Sequence, residues 1–124
     1  MKRLQANRIF NASSTEAYGS MTSKGSAPED CPMLPDTIFG VSMVYAELLG
    51  RYYHIKYGLD YRALRYPVIV SAQDGFKDVA DFIKEMHFKA IMENKYECYV
   101  KAETKVPAIH VQDAVDATVF AGFT

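Results

Sequence analysis

Between residues 37 and 57 the apolar positions Ile38, Val41, Tyr45, Leu48, Leu49 and Tyr52 recur at spacings of three and four. That period predicts a helix with one apolar face. Asp36 stands where an N-cap belongs, and Gly58 suits the left-handed turn that closes a helix. Upstream, RIFNASS (8–14) opens apolar and ends small and polar, the pattern of a short buried strand. Downstream, LDYRALRYPVIV (59–70) reads as a buried strand entering a proline-containing loop. Val79, Phe82, Ile83, Met86 and Ala90 share one face of a second helix over 77–94. YECYV (96–100) alternates and predicts a strand, and KVPAIHV (105–111) predicts another. QDAVDATVFAGF (112–123) predicts a last helix, with Asp113 as N-cap and Asp116 as a first-turn acid. Residues 19–36, rich in Gly, Ser, Pro and charge, predict a long surface loop. The order strand, helix, strand, helix, strand, strand, helix belongs to the α/β class.

Composition narrows the function. The chain has 124 residues, 49% hydrophobic and 23% charged, with a net charge of −1. That is globular composition and room for one domain. No basic block or acidic run offers an electrostatic case for nucleic acid or an anionic membrane. No apolar run reaches the length of a membrane span. The opening MKRLQANRIF has two early cations but no apolar h-region after them, so no signal peptide is expected. Cys31 and Cys98 form no paired motif, and His54, His87 and His110 are scattered, so no metal is predicted. Two reduced thiols in an intracellular protein are expected.

Three stretches carry a resemblance: SSTEAYG (13–19), TIFGVSMVYAELLGRYYHIKYGLDYRALRYP (37–67) and VPAIHVQDA (106–114). They resemble the C-terminal part of the extended short-chain dehydrogenase/reductase superfamily. Within it, the nearest likeness is to the NAD-dependent L-threonine 3-dehydrogenases, themselves similar to sugar-nucleotide epimerases. The resemblance implies a single segment, 1–124, forming the C-terminal portion of a Rossmann-type subunit, with a partial parallel sheet and covering helices. It implies NAD as the family cofactor and oxidation of L-threonine to 2-amino-3-oxobutanoate as the family reaction. It also implies a cytoplasmic or mitochondrial setting and a homodimer or heterodimer formed through helix 37–57.

In such enzymes a tyrosine takes the proton of the substrate hydroxyl, and a lysine one turn later lowers the tyrosine pKa. The resemblance places the substrate-facing hydroxyl at Ser14, the tyrosine position at Phe39 and the lysine position at Met43. Tyr66 and Pro67 match the turn on the nicotinamide side, and a substrate-facing threonine region falls near Val79 and Ala80. Phe39 keeps the ring and loses the hydroxyl; Met43 keeps the unbranched length and loses the charge. A positioned acid–base contributes about 10²–10⁴ in rate, so an impaired enzyme is expected. Tyr52 and Lys56 also satisfy the Tyr-x-x-x-Lys spacing. They lie 13 residues on, rotated by roughly 220° and displaced by about 20 Å, and cannot serve the same site. Among the seven glycines none forms the spaced triplet that seats a pyrophosphate, so a truncated segment with doubtful NAD binding is expected. The alternatives are a non-catalytic dimerisation module and a remnant of a sugar-nucleotide epimerase/dehydratase.

Overall fold

The computed structural model describes residues 7–22, 27–28, 30–71 and 81–123. They divide into two compact units, one comprising residues up to Tyr66 together with those from Asp116 onward, the other Pro67–Val115.

The first unit is built on two parallel strands, β1 (Arg8–Ser14) and β2 (Asp60–Tyr66), in register from Arg8 against Asp60 to Ser14 against Tyr66. Parallel strands need a crossover, and α1 (Ile38–Tyr57) supplies it. Side chains alternate across the sheet. Asn11, Ser13, Tyr61 and Arg65 bond one another or residues of α1 and its approach. From the other face, Arg62 reaches the Ala121 carbonyl at 2.9 Å, and the Tyr66 hydroxyl is hydrogen-bonded to Thr118. Thr118 and Ala121 both lie on α3 (Val111–Phe123). Helices thus cover the two faces of this parallel pair, as parallel sheets require.

α1 starts one residue later than Asp36 suggested. Thr37 is the N-cap, its hydroxyl accepting the Gly40 N–H at 3.0 Å. Asp36 instead accepts the Ser20 N–H at 2.6 Å and ties off the base of the loop that follows β1. Gly58 ends the helix at φ 70°, the left-handed conformation expected of it.

The apolar stripe of α1 does not face the sheet. Ile38 is 86% exposed and Tyr45 65%, and Val41, Leu48, Leu49 and Tyr52 are exposed as well. The packed face carries buried Gly40 and Gly50 and half-buried Glu47. A Cβ on Gly40 would run into the Glu16 carbonyl, and one on Gly50 would overlap the Tyr61 ring. The absence of side chains at 40 and 50 is what lets the helix lie this close. Large apolar side chains would hold it off, so periodicity alone selected the wrong face.

In the second unit β3 (Val68–Val70) pairs in parallel with β4 (Ala108–His110), and α2 (Asp81–Met92) lies between them in the chain. Where a strand entering a proline-containing loop is expected over 59–70, there are therefore two strands in two sheets. They break at Pro67, which has no N–H to give to a ladder. Helix 77–94 is seen from residue 81, and its earlier positions, Val79 and Ala80 among them, lie outside the described residues. YECYV is not a strand: 96–100 is irregular, with Phe82 and Tyr99 meeting edge to face at 6.2 Å. Alternation in so short a run had no partner strand to satisfy it. The last helix begins at Val111, which puts Asp113 inside the first turn rather than at the cap.

Candidate active site

β1 and β2 end together. The register sets Ser14 directly beside Tyr66 at the carboxyl ends of two parallel strands, where open α/β sheets place their ligands. Ser14 caps a short 3₁₀ turn, Thr15–Ala17, its oxygen accepting the Glu16 N–H at 3.2 Å. The hydroxyl proton remains to be donated. Ala17 is fully buried and Ser13 is 3% exposed, so this strand end is the best-packed point of the unit.

The start of α1 is laid on that end. Gly40 packs against the Glu16 carbonyl, and the Thr37 hydroxyl reaches Glu16 Oε2 at 3.3 Å. Phe39 and Met43 follow on one stripe of the helix, four residues apart. Phe39 is 52% exposed and Met43 half-buried. Neither side chain can take up a proton. Tyr66, by contrast, is engaged with Thr118 on the α3 side of the sheet. Pro67 follows at the strand break and belongs to the second unit. Tyr52 and Lys56 do meet, Nζ to hydroxyl at 2.6 Å, but on the exposed far end of α1, where Lys56 also lies over the Tyr52 and Tyr57 rings.

One more turn along the stripe stands Glu47, a residue outside the proton-transfer spacing. Its carboxylate receives three hydrogen bonds from Arg65, at 3.0 and 3.2 Å from Nε and 2.7 Å from Nη2. The Ser13 hydroxyl donates a fourth at 2.5 Å. The ion pair is largely withdrawn from solvent, with 16% of the Arg65 side chain and 11% of the Glu47 side chain exposed. Arg65 also donates to the Tyr18 hydroxyl at 2.9 Å and lies 4.9 Å from that ring's centre. Burial alone would raise the Glu47 pKa; the hydrogen bonds from Arg65 and Ser13, with the Arg65 charge, outweigh it and hold the carboxyl below its ordinary value. The same bonds to Glu47 hold Arg65 above its ordinary value against the cost of burial. The sequence did contain a signal: a glutamate at the next i+4 step after Phe39 and Met43, and an arginine inside a stretch that reads as a buried strand.

A parallel sheet with helices on both faces and a hydroxyl at its carboxyl end defines a Rossmann-like α/β protein. The comparisons with known proteins make that specific. The family model of the NAD dependent epimerase/dehydratase family matches residues 1–122, and the chain belongs to that family. Mitochondrial L-threonine 3-dehydrogenase of Bos taurus is 39% identical over 113 residues, covering 90% of this chain and 30% of that protein. The crystal structure of L-threonine dehydrogenase from Phytophthora infestans matches 90% of this chain and 37% of its own, at 32% identity and a TM-score of 0.82. The GalE-like L-threonine dehydrogenase of Cupriavidus necator, in its apo form, matches 94% and 43%, at 30% identity and a TM-score of 0.86. The chain spans about a third of the length of the curated relatives it matches.

The family name carries NAD, and the described glycines can be tested against it. Gly19, Gly40 and Gly50 each sit where a Cβ would strike a neighbour; Gly58 is a helix cap, and Gly122 lies in α3 beside Phe10. Gly19, Gly40 and Gly50 serve close packing, Gly58 ends a helix, and Gly122 is an ordinary helical position. These five residues do not fit a pyrophosphate cradle.

Proposed function

We propose that this chain is an L-threonine 3-dehydrogenase-like protein that keeps the strand-end scaffold of the family and has lost its proton-transfer pair. The observation that carries the reading is the stripe Phe39–Met43 on α1, held by Gly40 against the turn that Ser14 caps. Ser14 can donate a hydrogen bond to a substrate oxygen. It cannot remove a proton without a base, and position 39 supplies an uncharged ring. Loss of the pair corresponds to roughly 3–6 kcal/mol of barrier. Supplied with L-threonine and NAD, the 124-residue chain is expected to give no NADH above blank. Turnover that depends on both compounds would overturn the reading.

A second reading rests on a different observation. The exposed face of α1 carries Tyr45, Leu48, Tyr52, Tyr53 and Ile55. A cleft of about 320 Å³ opens between Tyr45, Leu49 and Tyr53 of that helix and Ile9 and Asn11 of β1. An apolar face of this kind marks an interaction surface, which supports a dimerisation module. Sedimentation equilibrium tests it: self-association lost in Tyr45→Glu supports the module, and a monomer at all concentrations rejects it.

A further inference from the structure

The Glu47 carboxylate poses an electrostatic problem for the site as proposed above. It lies one helical turn beyond position 43 and two beyond position 39, on the same stripe. A free carboxylate there would capture any cation at 43 and would oppose ionisation of a phenol at 39. In this structure it is not free. Arg65 holds it with a two-pronged guanidinium and Ser13 with its hydroxyl. The partners come from two different strands, β2 and β1. Their geometry is fixed by the sheet rather than by α1, and a planar fork matched to a carboxylate leaves little of it unbound.

We propose that Arg65 and Ser13 act as a clamp that sequesters Glu47, so that its carboxylate neither captures a cation at position 43 nor opposes a phenolate at position 39. Arg65 is then a positioning residue for a proton-transfer pair restored at positions 39 and 43, acting on it through Glu47 and touching no substrate. The inference rests on the assignment of positions 39 and 43 to that pair. It also explains how the two substitutions can be borne: with Glu47 neutralised from the sheet, Met43 leaves no unpaired carboxylate behind.

The other polar groups around the clamp are Tyr18 and Tyr61. Tyr18 takes a third Arg65 donor. Tyr61 is bonded to Asn11 at 2.9 Å and to the Ala46 carbonyl at 3.1 Å. Asp36, which accepts the Ser20 N–H, and Glu16, bonded to Thr37, are the acids beside the helix start. Both are unchanged in every variant below, and their influence cancels in the differences.

The test restores the pair and reads the phenol directly. In Phe39→Tyr/Met43→Lys, the new tyrosine is followed by NMR of ring-labelled protein, where it is the one resonance the parent lacks. Its titration midpoint is expected about 1–3 pH units below the ordinary value near 10. Adding Arg65→Gln releases Glu47, and the midpoint should return to about 10 or above. Adding Glu47→Gln to that protein removes the released charge and should bring the midpoint down again. A merely structural Arg65 would not give this recovery. Ser13→Ala, a smaller change suited to the case where Arg65→Gln does not fold, should raise the midpoint part of the way. A midpoint lowered equally with and without the clamp residues overturns the proposal while leaving the pair assignment standing. An ordinary midpoint in the restored protein with the clamp intact overturns the pair assignment itself.

Discussion

Gly50 offers the sharpest test of how α1 is seated. It is buried in the middle of a 20-residue helix, where alanine is ordinarily the better residue by about 0.8–1 kcal/mol. Here the Cβ would overlap the Tyr61 ring. The ring cannot move freely, because its hydroxyl donates to the Ala46 carbonyl and accepts from Asn11. Displacing it costs about 1–3 kcal/mol of overpacking and up to about 1 kcal/mol for each strained hydrogen bond. After the helix-propensity gain the sum runs to about 4 kcal/mol at most, and Gly50→Ala should lose about 2 kcal/mol, the middle of that range. In thermal denaturation followed by circular dichroism, that is a fall of roughly 10 °C for a chain of this size. Tyr61→Leu, added to Gly50→Ala, should recover part of the loss by removing the ring. If Gly50→Ala melts at or above the parent temperature, α1 is not packed on the sheet through Gly50 and the described face is wrong.

Two other outcomes follow from the same structure. Because the folded Glu47 pKa lies below its ordinary value, the clamp's contribution is complete above the unfolded carboxyl pKa near 4.3 and is lost as the pH falls through the folded value. Chemical denaturation at pH 7 and pH 3 should show that loss, and Glu47→Gln should reduce the pH dependence while costing about 3 kcal/mol at pH 7 by leaving Arg65 unpaired; an unchanged pH profile in that variant would exclude the clamp as its source. Calorimetric titration of NAD into the 124-residue chain should give no saturable heat, since the described glycines frame no pyrophosphate seat, and stoichiometric tight binding would contradict that.

Much of the first unit was legible in the residues. The 3.6 period located α1 to within a residue at its start, and Gly58 marked its end. The small polar close of RIFNASS located the strand end that holds Ser14. What the pattern could not give was the side of α1 that packs. The seat is made of Gly40, Gly50 and Glu47, and glycines and a salt-bridged acid carry no hydrophobic signal. Pro67 marked a break in the pattern but not that β2 and β3 join different sheets, because strand pairing is decided by distant partners. YECYV failed for the same reason: alternation describes a strand's faces, and a strand also needs a neighbour. The Glu47–Arg65 pair joins residues 18 apart through tertiary geometry, so spacing alone left it as two unremarked charges.

The central claim is that positions 39 and 43 form the proton-transfer pair of this fold, here emptied of its chemistry. It is tested most directly by titrating the phenol of Phe39→Tyr with and without Met43→Lys. The account predicts a midpoint about 1–3 pH units lower when the lysine is present. The same midpoint in both proteins would show that the two side chains do not share a site, and would contradict it.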